Sequence, residues 1–329
     1  MTDRLDIVVL GLSLSSSWGN GHATTYRALL KGLHRLGHDV LFLERDTPWY
    51  AAHRDLADPP FCRFALYSSL DGLAAQHLAA IRAADAVIVG SYVPDGVAAL
   101  DLALDAATGA VAFYDIDTPL TLAALTRGEP ASIARRQIPR LDAYFSFAGG
   151  PILQRLERAF GAPRALPLYC SADTELYRPT GEPCRYDLGY LGTYSPDRQP
   201  ALERLLIEPA RRDPALRCVV AGSGYPSDIR WPANVERIDH VAPADHAAFY
   251  GRQRFTLNCT RADMKAAGWS PSVRLFEAAA CGTPVISDAW PGLGEFFEPG
   301  RAILVAHRTE DVLEALAEPP ARRSVLAQA

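Results

Sequence analysis

The sequence has few of the features that define several common protein classes. Its six cysteines are scattered and form no C-x-x-C pair, which argues against a zinc site and against a dense disulfide framework. No apolar stretch approaches the length of a membrane-spanning helix, and the apolar run 7–12 is too short for a signal peptide. We therefore expect a cytoplasmic protein, and peripheral contact with a membrane stays open.

The charge pattern gives no sign of a nucleic-acid partner. The formal net charge is -5, and the densest basic clusters are pairs such as Arg135-Arg136 and Arg211-Arg212, which are typical of a solvated surface. With 49% hydrophobic and 22% charged residues, the composition is that of an ordinary globular protein. The length of 329 residues exceeds what one hydrophobic core usually serves, so we expect two domains.

Short apolar runs that end in turn residues alternate with longer stretches of helical period, which is typical of parallel sheets covered by helices. One series of predicted strands covers 5–14, 39–44, 86–91, 110–115 and 143–148, and a second covers 186–191, 217–221, 255–258, 283–287 and 302–305. Predicted helices lie between them, for example over 24–36, 97–106, 200–210 and 273–280.

This alternation predicts an α/β protein with two Rossmann-like α/β/α domains, over residues 1–166 and 167–329. Ligands of such sheets bind beyond the carboxyl ends of the strands, so we expect the active site in a cleft between the two domains. A nicotinamide-dependent dehydrogenase is disfavoured, because no G-x-G-x-x-G follows the first predicted strand.

The most informative segment is 268–286. Ser270 is a suitable N-cap, Pro271 suits the first helical position, and Gly282 suits the residue after the helix. The N-terminus of this helix offers unpaired N–H groups, which suit a diphosphate. Glu277 stands in an otherwise apolar stretch and needs a partner, which is either Arg274 on the same helix or a ligand.

The run from Arg274 to Gly282 contains R-x-F-E-A-x-x-C-G and resembles the donor-binding segment of GT-B glycosyltransferases. The similarity is to glycosyltransferase family 4 and to the CgeB-like group of spore-maturation proteins. Further stretches agree with it: 173–179, 190–198, 220–224 and 292–295 resemble the domain crossover, a phosphate-binding loop, a glycine turn and the glycine-rich donor loop of these families.

The resemblance implies that Glu277 binds the ribose hydroxyls of a nucleotide-diphosphate sugar. The predicted donor-binding residues are Gly21, Gly192, Thr193, Arg198, Gly222, Lys265, Trp269, Ser272, Arg274, Glu277, Gly292, Leu293 and Gly294. Two of them depart from the family 4 pattern. Trp269 stands where a second Glu is usual, and Thr193 where a first cation is usual; Lys265, Arg261 or Arg274 are candidates to compensate for that cation.

In the N-terminal half, the small residues of Gly19-Asn20-Gly21-His22 allow close approach to a ligand. This run resembles the glycine loop of GT-B acceptor domains, and His22 is the candidate general base, the alternative being an exposed loop histidine. Asp117 follows a predicted strand and is the second catalytic candidate, to bind the acceptor or to orient His22. Its alternative role is an Asx-type turn that caps the following helix. Segment 48–73 is a candidate acceptor region.

The expected function is transfer of a sugar, of the hexosyl type, from a nucleotide-diphosphate donor to an unidentified hydroxyl acceptor, without a cofactor. Asp115-Ile116-Asp117 matches the D-x-D of metal-dependent GT-A enzymes, but any strand end produces this spacing. Because Arg198 and a helix N-terminus can meet the diphosphate charge, we expect no metal site. A nucleotide-sugar epimerase or hydrolase and a non-catalytic binding protein remain alternatives.

Overall fold

A computed structural model describes residues 4–18 and 21–328. The chain forms two compact units, Met1–Ser171 and Ala172–Ala329. The sequence placed the division after residue 166, inside the last strand of the first unit, Ala165–Pro167.

Unit 1 is built on a sheet of seven strands in the order β3-β2-β1-β4-β5-β6-β7. All neighbours are parallel; for example, Leu10 of β1 pairs with Leu43 of β2 and with Val89 of β4. Most central strand residues are buried, because helices cover both faces of such a sheet. The strands are β1 Asp6–Gly11, β2 Asp39–Arg45, β3 Arg63–Tyr67, β4 Ala86–Gly90, β5 Ala110–Asp115, β6 Ala143–Ser146 and β7 Ala165–Pro167.

The helices of unit 1 alternate with these strands and have local sequence causes. The Ser69 hydroxyl accepts from the Gly72 N–H and begins one helix, and Gly128 and Gly161 end two others with left-handed backbone. The helices are α1 Gly21–Arg35, α2 Pro48–Ala51, α3 Leu70–Ala83, α4 Gly96–Ala106, α5 Thr118–Arg127 and α6 Pro151–Phe160.

Unit 2 contains a six-stranded parallel sheet in the order β10-β9-β8-β11-β12-β13. Its side chains alternate between two cores: Cys218 and Val220 face one cluster, and Val219 and Ala221 face the other. The strands are β8 Tyr186–Leu191, β9 Cys218–Ala221, β10 Val235–Ile238, β11 Gln253–Asn258, β12 Val285–Ser287 and β13 Leu304–Val305.

The first helical segment of unit 2 contains a π-helical turn, Glu203–Ile207. Pro209 follows this turn and has no N–H to continue the α-helical ladder, which accounts for the change of pitch. The helices are α7 Gln199–Leu202, α8 Glu208–Arg212, α9 His246–Gly251, α10 Ala262–Ala267, α11 Val273–Ala280, α12 Leu293–Phe296, α13 Thr309–Leu316 and α14 Pro320–Gln328.

Several elements differ from the sequence-based expectation. The strands β3, β7 and β10 were not predicted, because all three are short, partly buried strands at a sheet edge. Helix α1 begins at Gly21 rather than near Thr24. Within the residues that the structure describes, no helix is long and apolar enough to cross a membrane.

Candidate functional site

Each sheet has one place where the chain changes its direction of winding. In unit 2 the first strand, β8, lies between β9 and β11, and in unit 1 the first strand, β1, lies between β2 and β4. The loops after these strands diverge at their carboxyl ends and leave a crevice there, which is the usual ligand site of such sheets. Most of the predicted site residues lie in loops or helix starts at these ends.

Two glycines bring the loops after β8 and β9 into contact. A Cβ on Gly222 would lie 2.1 Å from the Gly192 carbonyl oxygen, and Gly222 has a φ of 137°. Only glycine tolerates both conditions. A Cβ on Gly192 would meet the Arg274 guanidinium at 2.8 Å, so the loop backbone lies directly against a buried cation.

Arg274 connects the carboxyl ends of β8 and β11 by hydrogen bonds. Its Nη1 donates to Asn258 Oδ1 at 2.8 Å, its Nε donates to the Leu191 carbonyl, and its guanidinium lies 4.6 Å from the Tyr190 ring centroid. The residue is 6% exposed. Burial of a cation is costly unless hydrogen bonds and aromatic contacts compensate, and here both are present. The result is a fixed positive charge at the end of β8.

No hydrogen bond or ion pair joins Glu277 to Arg274 directly, although their charges interact. Its carboxylate accepts from the Tyr250 hydroxyl at 2.9 Å, and the residue is 3% exposed. Burial and the nearby Glu277 carboxylate raise the pKa of Tyr177 and of Tyr250 well above the usual range. Both tyrosines are therefore neutral hydrogen-bonding groups around one buried carboxylate.

The N-terminus of α11 differs by two residues from the prediction. Ser272, not Ser270, is the N-cap, and its hydroxyl accepts from the Arg274 N–H at 3.4 Å. Ser270 is buried and donates to the Met264 sulfur. The helix thus begins after Pro271 rather than at it, because the Ser272 backbone is still extended.

The other predicted cations are held by neighbouring groups. Arg198 donates to the Thr193 carbonyl at 2.8 Å, which closes the loop after β8. Lys265 pairs with buried Asp288 at 3.3 Å, and Arg261 lies 3.9 Å from Asp197. Lys265 and Arg261 already have carboxylate partners, so Arg198 and Arg274 are the better candidates to face a diphosphate.

Trp269 lies in the segment between α10 and α11 and contacts the loop that follows β12. Its indole Nε1–H donates to Glu295 at 2.7 Å, and its N–H donates to the Pro291 carbonyl at 2.7 Å. A Cβ on Gly292 would lie 2.6 Å from the indole, so only glycine fits beneath this ring. Leu293 is buried in one of the unit 2 cores, and Gly294 is exposed beside it.

In unit 1 the two catalytic candidates lie close together around a third residue. Tyr92 follows β4; its ring centroid is 5.4 Å from that of His22, and its hydroxyl donates to Asp117 at 2.8 Å. Burial lowers the pKa of His22, and the Asp117 carboxylate partly offsets that shift. His22 is therefore neutral at pH 7, the state that a general base needs.

Asp117 occupies the N-cap position of α5, but its side chain does not cap the helix. The turn is instead made by Asp115, whose carboxylate accepts from the Asp117 N–H at 3.2 Å. Asp115 is fully buried and also accepts from Thr121 and Tyr144. Burial raises the pKa of Asp115 to about 6. The two aspartates thus have different environments and partners.

Among residues 4–18 and 21–328, no group of three or more His, Cys, Asp or Glu side chains could hold a metal ion. Gly19 and Asn20 of the predicted glycine loop lie outside the described residues. Gly21 starts α1 and has open space where a Cβ would be.

Four contacting residues were missed by the sequence reasoning: Tyr92, Tyr250, Asn258 and Glu295. Asn258 ends a predicted strand and Tyr92 directly follows one, which is a usable signal because loops at these ends carry ligands. Glu295 ends the run 292–295 that resembles the glycine-rich donor loop, but nothing local connects it to Trp269, or Tyr250 to Glu277.

Residues 198–329 match the model of a family described as glycosyl transferase-like. No curated protein matches the chain.

Solved structures match nearly the whole chain. Sucrose-phosphate synthase from Thermosynechococcus elongatus is 14% identical, with 99% of this chain and 92% of that chain covered and a TM-score of 0.69. HepE of Anabaena in complex with UDP and glucose is 13% identical, with 98% and 93% covered and a TM-score of 0.70. An alpha-glucosyltransferase in complex with UDP and DNA is 14% identical, with 99% and 94% covered and a TM-score of 0.71.

At this identity the likeness shows the fold alone. The predicted architecture of two Rossmann-like α/β units, as in GT-B glycosyltransferase structures, is confirmed.

Proposed function

We propose that this protein is a glycosyltransferase of the hexosyl type, related to family 4 and CgeB-like enzymes, which uses a nucleotide-diphosphate sugar and no metal ion. One observation carries the proposal. Arg274 and Glu277, both buried and both held by hydrogen bonds, lie on one helix that begins at the crevice of the unit 2 sheet. That helix falls in the part of the chain that matches the glycosyl transferase-like family.

The donor half of the proposal follows from charge. A diphosphate leaving group gains negative charge as the sugar bond breaks, and fixed cations and N–H groups stabilise it most effectively. Arg274 is fixed by Leu191 and Asn258, Arg198 closes the loop after β8, and the N-terminus of α11 adds backbone N–H groups. These groups supply the electrostatic role for which other transferases use a metal ion.

Glu277 supplies the nucleotide contact. Its carboxylate is oriented by the Tyr250 hydroxyl, and a carboxylate so placed accepts hydrogen bonds from the two vicinal hydroxyls of a ribose. UDP is the first nucleotide to test, because structures of similar fold contain UDP.

Unit 1 supplies the acceptor chemistry in this proposal. Neutral His22 takes the proton from the acceptor hydroxyl while the acceptor oxygen bonds to the anomeric carbon and the nucleotide diphosphate leaves with the electron pair. Asp117 acts on His22 through its charge and through Tyr92, which contacts both.

The six free cysteines agree with action in the reducing cytoplasm.

The test is a panel of UDP-, GDP- and dTDP-sugars in isothermal titration calorimetry, followed by nucleotide release with and without candidate acceptors. We expect binding of a sugar nucleotide and acceptor-dependent nucleotide release. Donor turnover that is equally fast without acceptor would indicate the epimerase or hydrolase alternative. Binding without turnover under all acceptors would indicate the non-catalytic alternative, and absence of any binding would refute the proposal.

A further inference from the structure

The backbone is strained at Trp269. Its φ of 43° lies in the left-handed region, which a bulky residue rarely adopts. Gly292, beneath the indole, has a φ of 87°, which glycine adopts without strain. Such strain persists only where surrounding contacts enforce it, and it concentrates at ligand sites. The conformation therefore calls for a functional explanation.

Contacts between two loops enforce this strained conformation. The segment before α11 and the segment after β12 meet through the bond from the Trp269 N–H to the Pro291 carbonyl. A Cβ on Gly268 would lie 2.8 Å from the same carbonyl oxygen, so the two backbones are in direct contact. Since β12 neighbours β11 in the sheet, this loop contact lies at the carboxyl ends of the strands, where the proposed donor site is.

The contact between the two loops orients one carboxylate, that of Glu295. The indole Nε1–H donates to Glu295 Oε1 at 2.7 Å, and Glu295 is otherwise exposed. Other carboxylates nearby pair with cations: Asp288 with Lys265, and Glu298 with Arg301. Within the described part of the chain, no cation forms an ion pair with Glu295, so its carboxylate can accept hydrogen bonds beyond the one from Trp269.

From this arrangement we propose that Glu295 binds hydroxyl groups of the donor sugar and that Trp269 is its positioning residue. The chemistry fits, because a carboxylate bound by a single N–H retains lone pairs for the adjacent hydroxyls of a hexose ring. A rigid indole fixes the carboxylate at lower entropic cost than a flexible side chain would. The inference rests on the proposed function, and it assigns the sugar portion of the donor rather than the nucleotide to this pair.

The experiment compares UDP with the UDP-sugar that the wild-type protein binds most tightly, or the matching pair if another nucleotide is preferred. Calorimetry is done on the wild type, Glu295→Gln, Trp269→Phe and the control Glu298→Gln, which removes a nearby exposed carboxylate. Trp269→Phe keeps a ring over Gly292 and removes the N–H.

We expect Glu295→Gln to weaken sugar-nucleotide binding about tenfold or more while the affinity for UDP stays unchanged. Trp269→Phe should give a smaller loss of the same kind, and the double variant should be no worse than Glu295→Gln, because the two residues act as one unit. Glu298→Gln should behave as the wild type.

Wild-type affinity of Glu295→Gln for the sugar nucleotide would overturn the assignment while leaving the proposed function intact. An equal loss for UDP and UDP-sugar would overturn it too, since the defect would then lie in the nucleotide site or the fold. A wild-type protein that binds no sugar nucleotide would refute both proposals, and it is recognised before any variant is made.

Discussion

Replacement of Glu277 by glutamine separates the ligand role of this residue from a structural one. The carboxylate is 3% exposed and accepts from the Tyr250 hydroxyl at 2.9 Å. A glutamine amide oxygen can accept the same bond, so the tyrosine keeps a partner. Burial of an ionised carboxylate is costly, and its neutral isostere avoids that cost. We therefore expect the free energy of unfolding to stay unchanged or to rise.

Ligand binding should change in the opposite direction. Two ribose hydroxyls need two acceptor oxygens, and glutamine offers one oxygen and one amide donor. Loss of the charge-assisted bond costs about 1.5–3 kcal/mol, which is a fall in affinity of about 10- to 150-fold.

The assay combines calorimetric titration of the preferred nucleotide with urea unfolding of the same preparation. Tyr250→Phe is the matched control, because it removes the orienting hydroxyl and keeps the charge; its loss of affinity should be smaller. If Glu277→Gln binds the nucleotide as tightly as the wild type, the reasoning is refuted, and the carboxylate serves only the packing of Tyr177 and Tyr250.

Three further outcomes are expected. His22→Ala should lower turnover by about two orders of magnitude with nearly unchanged nucleotide affinity. Because burial lowers the pKa of His22 below 6.5, wild-type kcat/KM should fall only on the acid side of pH 6.5. Asp117→Asn removes a charge that raises this pKa, so it should move that fall to still lower pH. Initial rates should survive exhaustive EDTA treatment, and a collapse restored by magnesium or manganese and abolished by Asp117→Asn would contradict the metal-free mechanism. The pKa of Asp115 is about 6 in the folded protein and 3.8 in the unfolded chain. Between these pH values only the unfolded chain releases the proton. The free energy of unfolding of the wild type should therefore decrease by about 3 kcal/mol as the pH rises through that window. Asp115→Asn should lack this component in urea unfolding at pH 4 and pH 7, and an identical pH dependence in both proteins would exclude Asp115 as its source.

Elements whose sequence signal is local could be predicted. Central strands such as Asp39–Arg45 and Cys218–Ala221 are short apolar runs because both faces of a parallel sheet are covered. Edge strands have fewer buried positions, so Val235–Ile238 shows only a weak pattern and was missed. The N-cap of α11 was misplaced because Ser270 and Ser272 flank Pro271 and either serine suits the position.

The sequence by itself determined the alternation of strands and helices, the two-unit α/β architecture and the helix that carries Arg274 and Glu277. Periodicity and turn residues act over a few positions, so they can be read without coordinates. Only the tertiary structure decided the partners: Glu277 with Tyr250, Asp117 with Tyr92, and Trp269 with Glu295. These pairs are 25 to 27 residues apart along the chain, and parallel strand crossovers bring such distant positions to one sheet edge. A buried polar group requires some partner, but which one it finds depends on the packing of the whole unit.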